Sequence, residues 1–206
     1  MFETLPPSLE LGREAARNGR FESARRAFEA AADRGEREGF FELGLLYWYG
    51  HGVPRSLEKA AALIRMAAEQ GLPDAQHQLG LILWPTDKTE AETWTLRAAE
   101  AGYAPAMTRL AEIFGDRDPK AARLLLQRAA AKGHPPAMIG FGHVLAGGLG
   151  GPADPVEGLA WLYAAVALTG DKQVERDIHA LARALNARQI SAAHKCGRDI
   201  ARKFKA

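Results

Sequence analysis

The chain has 206 residues, 47% hydrophobic and 25% charged, with a formal net charge of +2. That balance excludes disordered, collagen-like and membrane-bundle chains, because the longest apolar run, residues 159–168, is about half of the roughly 20 residues a bilayer-spanning helix needs. A single cysteine, Cys196, permits neither an internal disulfide nor a cysteine-based metal site.

Glu3 and two prolines occupy the first seven residues, where a secretory leader would need a basic start and an apolar stretch, so a cytoplasmic protein is expected. Alanine occurs 40 times and β-branched runs are absent, which predicts a nearly all-α chain. Abundant alanine and arginine with few lysines points to a bacterial source with a GC-rich genome.

In chain order, residues 9–17 and 20–33, broken at Asn18-Gly19, read as a leading helical hairpin that ends in Ala31-Ala32 and Gly35. The same ending, two alanines and then a glycine three residues after the second, recurs at Ala67-Ala68 with Gly71, Ala98-Ala99 with Gly102 and Ala129-Ala130 with Gly133. The last three copies repeat every 31 residues, and a degenerate copy follows at Ala164-Ala165 with Gly170. A fixed period of this length marks a tandem array.

The first half of each repeat is equally regular. Gly39, Leu43, Gly44 and Tyr47 correspond to Ala75, Leu79, Gly80 and Leu83, to Ala106, Leu110, Ala111 and Phe114, and to Ala137, Phe141, Gly142 and Leu145. At 100° per residue these positions share one helical sector, with small residues where a neighbouring helix must come close. The second halves carry Leu63, Trp94 and Leu125 four residues before the alanine pair, so each repeat is a helix A followed by an antiparallel helix B. Asp118-Pro119 and Asp154-Pro155 read as N-caps with proline in the first turn, and Asp87 with Glu90, like Asn186 with Gln189, fits a capping box.

Turn length divides the repeats into two kinds. From Gly39 to Ala60 and from Ala137 to Gly158 there are 21 residues, but only 16 from Ala75 to Ala91 and from Ala106 to Ala122. The outer repeats therefore keep a Gly-rich stretch, GHGVP or GGLGG, that the inner ones lack.

The pattern Leu43-Gly44-x-x-Tyr47-x-x-Gly50-x-Gly52-Val53, followed by Lys59-Ala60, Ala67-Ala68 and Gly71, resembles the Sel1-like repeat, a relative of the tetratricopeptide repeat. The resemblance implies an all-α, right-handed α-solenoid of antiparallel helix pairs that binds other proteins as adaptor or scaffold. On that reading residues 1–206 form a single repeat domain, with repeats at 37–71, 74–102, 105–133 and 136–170 between a capping helix pair at 8–35 and capping helices at 171–206. Repeats two and three depart from the family by lacking the Tyr-x-x-Gly-x-Gly turn. Members with paired cysteines in each unit form a disulfide-rich, secreted subgroup, to which a chain with one cysteine does not conform.

No catalytic constellation emerges. The six histidines show no HExxH and no metal-ligand spacing, and the Gly-rich stretch at 147–151 follows a helix and lacks the Gly-Lys-Ser/Thr ending of a phosphate loop, so it reads as a turn. Cys196 reads as a structural thiol. No cofactor, metal or catalytic residue is expected. The expected partner is a protein or peptide held in the groove of the superhelix. The helix A positions that face away from the packing sector are Phe41, Glu42 and Leu45, then His77, Gln78 and Leu81, then Thr108, Arg109 and Glu112, then Ile139, Gly140 and His143. Trp48 and Trp84 border this strip, either as anchors for a partner or as covers for the adjacent turn.

Residues 172–206 carry nine Lys or Arg against three acids, a net +6, whereas residues 1–171 carry −4. Arg198, Arg202, Lys203 and Lys205 thus suggest a lesser alternative, a nucleic-acid or anionic-surface contact, although cations at a helix C-terminus account for the same residues. A cryptic enzyme at the groove is the third reading.

Overall fold

The computed structural model describes residues 7–205, with side chains from Leu9 onward. Glu3 and Pro6, on which the leader reading rests, lie outside the described residues. Among those residues the chain is all-helical, twelve α-helices with no strand, in two compact units, Met1–Ala101 and Gly102–Ala206. The first contains α1 (Pro7–Arg17), α2 (Phe21–Asp33), α3 (Arg37–Tyr49), α4 (Leu57–Glu69), α5 (Pro73–Leu83) and α6 (Lys88–Glu100). The second contains α7 (Ala104–Phe114), α8 (Pro119–Ala130), α9 (Pro135–Gly147), α10 (Pro155–Thr169), α11 (Lys172–Ala182) and α12 (Ala187–Arg202).

Successive helices pair as hairpins, and within each unit a hairpin packs on the next through its helix B: α2 on α3 and α4 on α5 in the first unit, α8 on α9 in the second. Small residues at fixed offsets make these contacts possible. A Cβ on Gly39 would stand 2.6 Å from the Ala32 backbone nitrogen, so this glycine lets α3 lie against the preceding helix B. One on Gly44 would stand 2.7 Å from Ile64 Cγ1, and one on Gly80 2.5 Å from Thr95 Oγ1, so the second small position seats helix A on its own helix B. The apolar residues between them fill the core. Ile64, Ala67, Leu79 and Trp94 form one cluster in the first unit, and Leu9, Phe28, Leu43 and Leu46 another. In the second unit Leu159, Leu162, Val174, Ile178 and Ala193 gather around α10.

The chain reverses where the sequence provides for it. Gly71 and Gly133, with φ of 79° and 84°, follow their helices in the left-handed region, which costs glycine little. Ser56, Asp87, Asp118 and Asp154 each accept a hydrogen bond from the backbone N–H three residues on. Of the two capping boxes read from the sequence, Asn186 with Gln189 is complete, whereas Asp87 with Glu90 is only half made. Asp87 caps α6, but the Glu90 carboxylate is drawn away by Arg65 Nη1 of α4 at 2.5 Å and by Trp94 Nε1 at 3.1 Å. A guanidinium is a stronger partner for a carboxylate than one backbone N–H.

The hydrogen bond from Arg65, and after it that from Trp94, holds Glu90 below the usual carboxylate range. A lowered folded value means that the stabilisation is present above about pH 4.3, the ordinary glutamate value, and disappears as pH falls through the lowered one. Glu90 and Arg65 are each over a third exposed, so solvent screening limits the effect to at most about 1 kcal/mol. Glu90→Gln is therefore expected to lower the urea midpoint slightly at pH 7, and the deficit to shrink as the pH is taken below the ordinary glutamate value; a deficit that does not change with pH would contradict the charge argument.

The C-terminal helices both pack on α10. At Gly197 a Cβ would stand 2.6 Å from the Ala160 carbonyl oxygen, so only glycine allows α12 to lie this close. α11 contributes Val174 and Ile178, both buried, and α10 buries Leu159, Ala160, Leu162, Ala164 and Ala165.

Candidate functional site

The two long turns are built alike, residue for residue, 98 positions apart. His51 N–H donates to Leu46 O at 3.0 Å and Leu149 N–H to Val144 O at 3.1 Å. Ser56 N–H donates to Tyr47 O at 3.0 Å and Asp154 N–H to Leu145 O at 2.8 Å. Gly50 and Gly52, with φ of 73° and 68°, match Gly148 and Gly150 at 70° and 71°. Each turn leans on the start of the preceding helix B. A Cβ on Gly52 would stand 2.7 Å from Phe21 Cβ, and one on Gly150 would collide with the Pro119 carbonyl oxygen. Arg123 Nη1 donates to Pro152 O at 2.9 Å and ties the second turn down.

Each docked turn closes one end of a depression. In the first unit a hollow of about 370 Å³ is lined by Ala16 and Arg17 of α1, Phe21 and Phe28 of α2, Glu42, Leu45, Leu46 and Tyr49 of α3, and His51 of the turn. In the second unit a hollow of about 320 Å³ is lined by Thr108, Ala111, Glu112 and Gly115, by Pro119, Ala122 and Leu126 of α8, by Pro136, Gly140, His143 and Val144 of α9, and by Leu149 of the turn. The 98-residue shift carries Phe21 onto Pro119, Phe28 onto Leu126, Leu45 onto His143, Leu46 onto Val144 and His51 onto Leu149. The same backbone device thus frames two hollows of different chemistry. The first is aromatic, with the His51 ring stacked 4.5 Å from Phe21 and 5.5 Å from Tyr49. The second is aliphatic, with polar groups at its edge: Glu112 is joined to Arg109 at 2.8 Å, and His143 Nε2 lies 3.3 Å from the Asp177 carboxylate.

Sequence comparison agrees with the repeat geometry. Residues 41–72, 73–103, 104–134 and 135–170 match the Sel1 repeat. The chain belongs to the Sel1 repeat family. Among solved structures it is similar to c5321, a protective antigen of uropathogenic Escherichia coli strains that displays an SLR fold, with a TM-score of 0.87 at 24% identity over 96% of this chain and 45% of that one. A Sel1 repeat protein from Oxalobacter formigenes gives 0.78 at 25% identity over 96% of this chain and 87% of that one. The fold class is accordingly the all-α solenoid of paired helices that these Sel1 proteins share. A 60-residue stretch is 42% identical to HcpC of Helicobacter pylori, a protein named for β-lactamase activity, covering 29% of this chain and 21% of HcpC. The chain thus spans under half of c5321 and matches about a fifth of HcpC.

Against this Sel1 frame, the residues read from helix A fall in several settings. Glu42 and Leu45 line the first hollow, with Glu42 taking a hydrogen bond from Arg13 at 2.5 Å. Thr108, Glu112, Gly140 and His143 line the second. Thr108 is buried and donates its hydroxyl to Ala104 O at 3.0 Å. Phe41 packs against the core around Ile64, and Ile139 against the cluster around α10. Leu81 is 40% exposed, while His77 and Gln78 are half-buried. Trp84 carries Lys88 Nζ 5.9 Å from its ring centroid across the α5–α6 turn, and the Trp48 carbonyl accepts from Arg55 Nε at 3.1 Å.

Phe21, Phe28, Tyr49, His51, Pro119, Leu126 and Leu149 are among the lining residues that the helix A reading does not contain. The signal that points to them is the five-residue difference in turn length. At the basic end, Arg202 pairs with Asp199 at 3.2 Å, and Arg198, Lys203 and Lys205 are exposed. Cys196 is an exposed free thiol. Among the described residues no group of three or more His, Cys, Asp or Glu side chains is placed to hold a metal, and no helix is long and apolar enough to cross a membrane.

Proposed function

We propose that this Sel1 protein is a cytoplasmic, non-catalytic adaptor that holds a protein or peptide partner on its helix A faces, with helix pairs at 8–35 and 171–206 capping the repeats. One observation carries the reading: the long turns of the first and fourth repeats frame a hollow of matching construction and different lining in each unit. A shallow apolar hollow with a few polar groups at its edge suits one side chain of a partner, and desolvated anchors of this kind supply most of an interface's energy. Sel1 repeats commonly serve protein interaction, which agrees with this use of the fold. The candidate contact residues are Phe41, Glu42, Leu45, Trp48, His77, Gln78, Leu81 and Trp84 in the first unit and Thr108, Arg109, Glu112, Ile139 and His143 in the second. The β-lactamase name belongs to HcpC and is not extended to this chain.

The test uses exposed positions, so that the fold is kept. Tyr49 is 60% and Leu149 59% exposed, each lining its hollow, whereas Leu124, 55% exposed, lines neither. Affinity capture with the intact protein, quantified by mass spectrometry, is expected to return a partner that Tyr49→Glu or Leu149→Glu loses by tenfold or more, an effect of about 1.4 kcal/mol, and that Leu124→Glu retains. A partner set unchanged in both hollow variants would reject the helix A faces as the binding surface.

A further inference from the structure

A third cavity, of about 460 Å³, opens among α10, α11 and α12, apart from both hollows. Its floor is apolar, formed by Tyr163 and Val166 of α10 and Ile178 of α11, and its rims are charged. Glu175 and His179 stand one turn apart on α11; His194 and Arg198 stand one turn apart on α12. The Tyr163 ring meets the His194 ring edge-on at 4.9 Å.

The rim charges are unused. Among the described residues neither the Arg198 guanidinium nor the Glu175 carboxylate has an ion-pair or hydrogen-bond partner, although both line one cavity. Elsewhere the chain pairs such groups closely, as Arg13 with Glu42 and Arg65 with Glu90, both at 2.5 Å. A guanidinium and a carboxylate that face one cavity without meeting complement a ligand carrying both opposite charges, spaced wider than a direct ion pair. The floor between them suits an apolar body, and the volume lies within the range of about 300–1,000 Å³ typical of small-molecule sites.

We propose that this cleft binds a small zwitterion with an apolar body, of dipeptide size. Its carboxylate is received by Arg198, its ammonium by Glu175, and its side chains rest on Tyr163, Val166 and Ile178. A dipeptide fits better than a single amino acid because its two charged termini stand several bonds apart, as the unpaired rims require. The site is separate from the partner surface proposed above, and its test does not depend on that reading.

The probe is leucyl-phenylalanine, titrated into the full chain labelled with nitrogen-15, against its N-acetyl and C-amide forms. The zwitterion is expected to shift amide signals of α11 and α12 with millimolar or tighter affinity, and loss of either terminal charge to weaken binding about fivefold to tenfold, within the net range of one hydrogen bond exchanged for water at an exposed rim. Arg198→Gln should reproduce the loss seen with the amide, Glu175→Gln the loss seen with the N-acetyl form, and Arg198→Lys should recover part of the affinity. Both residues are exposed, and circular dichroism checks that the variants stay folded. Equal binding of all three probes, shifts outside the cleft, or no binding at 10 mM would each overturn the proposal.

Discussion

Replacing Phe28 by alanine is expected to destabilise the first unit by about 3–5 kcal/mol, the usual range for emptying a fully packed phenylalanine site. Phe28 is only 1% exposed and lies in the cluster formed by Leu9, Ala24, Ala31, Leu43 and Leu46. Gly12 on α1 is shaped to it: a Cβ there would stand 2.6 Å from Phe28 Cε1. The ring therefore fills the space that a missing side chain on α1 leaves, and neither helix can collapse into the gap without moving backbone.

The loss should also be local. In a repeat array each hairpin contacts mainly its neighbours, so the α1–α2 pair can open without the whole chain unfolding. Hydrogen exchange on Phe28→Ala is expected to show lost protection in α1 and α2, with α10 amides near their wild-type rates. A urea midpoint and exchange pattern equal to the wild type would show that Phe28 does not hold the hairpin, whereas uniform loss along the chain would show that opening is global.

Much of this arrangement is legible in the amino-acid sequence. The offsets that set Gly39, Leu43 and Gly44 apart from the rest of α3 are those at which the helix meets its neighbours, because close approach demands small residues wherever the backbone goes. The glycines after each helix B and the aspartates before α8 and α10 were legible for the same reason, since backbone conformation and capping are local chemistry. Glu90 was misread because its partner, Arg65, is 25 residues distant in sequence, and nothing local distinguishes a carboxylate that caps from one that is pulled across to another helix.

The hollows were legible only in part. Each draws residues from a helix A, the preceding helix B and a turn, whereas a helical wheel ranks positions within one helix. Ile139 and His143 fall on one strip of α9 in the sequence, yet Ile139 meets the α10 cluster while His143 borders the hollow. The division depends on how α9 crosses α8 and α10, which side-chain ridges of both partners decide together. The C-terminal cleft was less legible still. Arg198 entered the sequence reading as one cation of a basic tail, because its opposition to Glu175 exists only once α11 and α12 both lie on α10.

The α9–α10 contact gives the second large expected effect. Gly142 and Gly158 face one another: a Cβ on Gly142 would stand 2.8 Å from Gly158 O, and one on Gly158 2.5 Å from Gly142 O. Both obstacles are backbone atoms, which cannot turn aside as a side-chain end can. Gly142→Val is therefore expected to cost about 3 kcal/mol, at the upper end of the usual overpacking range, by prising α9 from α10. Two other glycines of α9 supply the controls. At Gly140 the nearest atom is Leu126 Cδ2 at 2.9 Å, the tip of a flexible side chain, and at Gly147 nothing lies within 4 Å. Gly140→Ala should be mildly destabilising, and Gly147→Ala stabilising by up to about 0.5–1 kcal/mol through its better helix propensity. Thermal and urea unfolding of the three variants should thus give a large loss, a small loss and a gain; a Gly142→Val protein as stable as the wild type would show that the two backbones have room to separate.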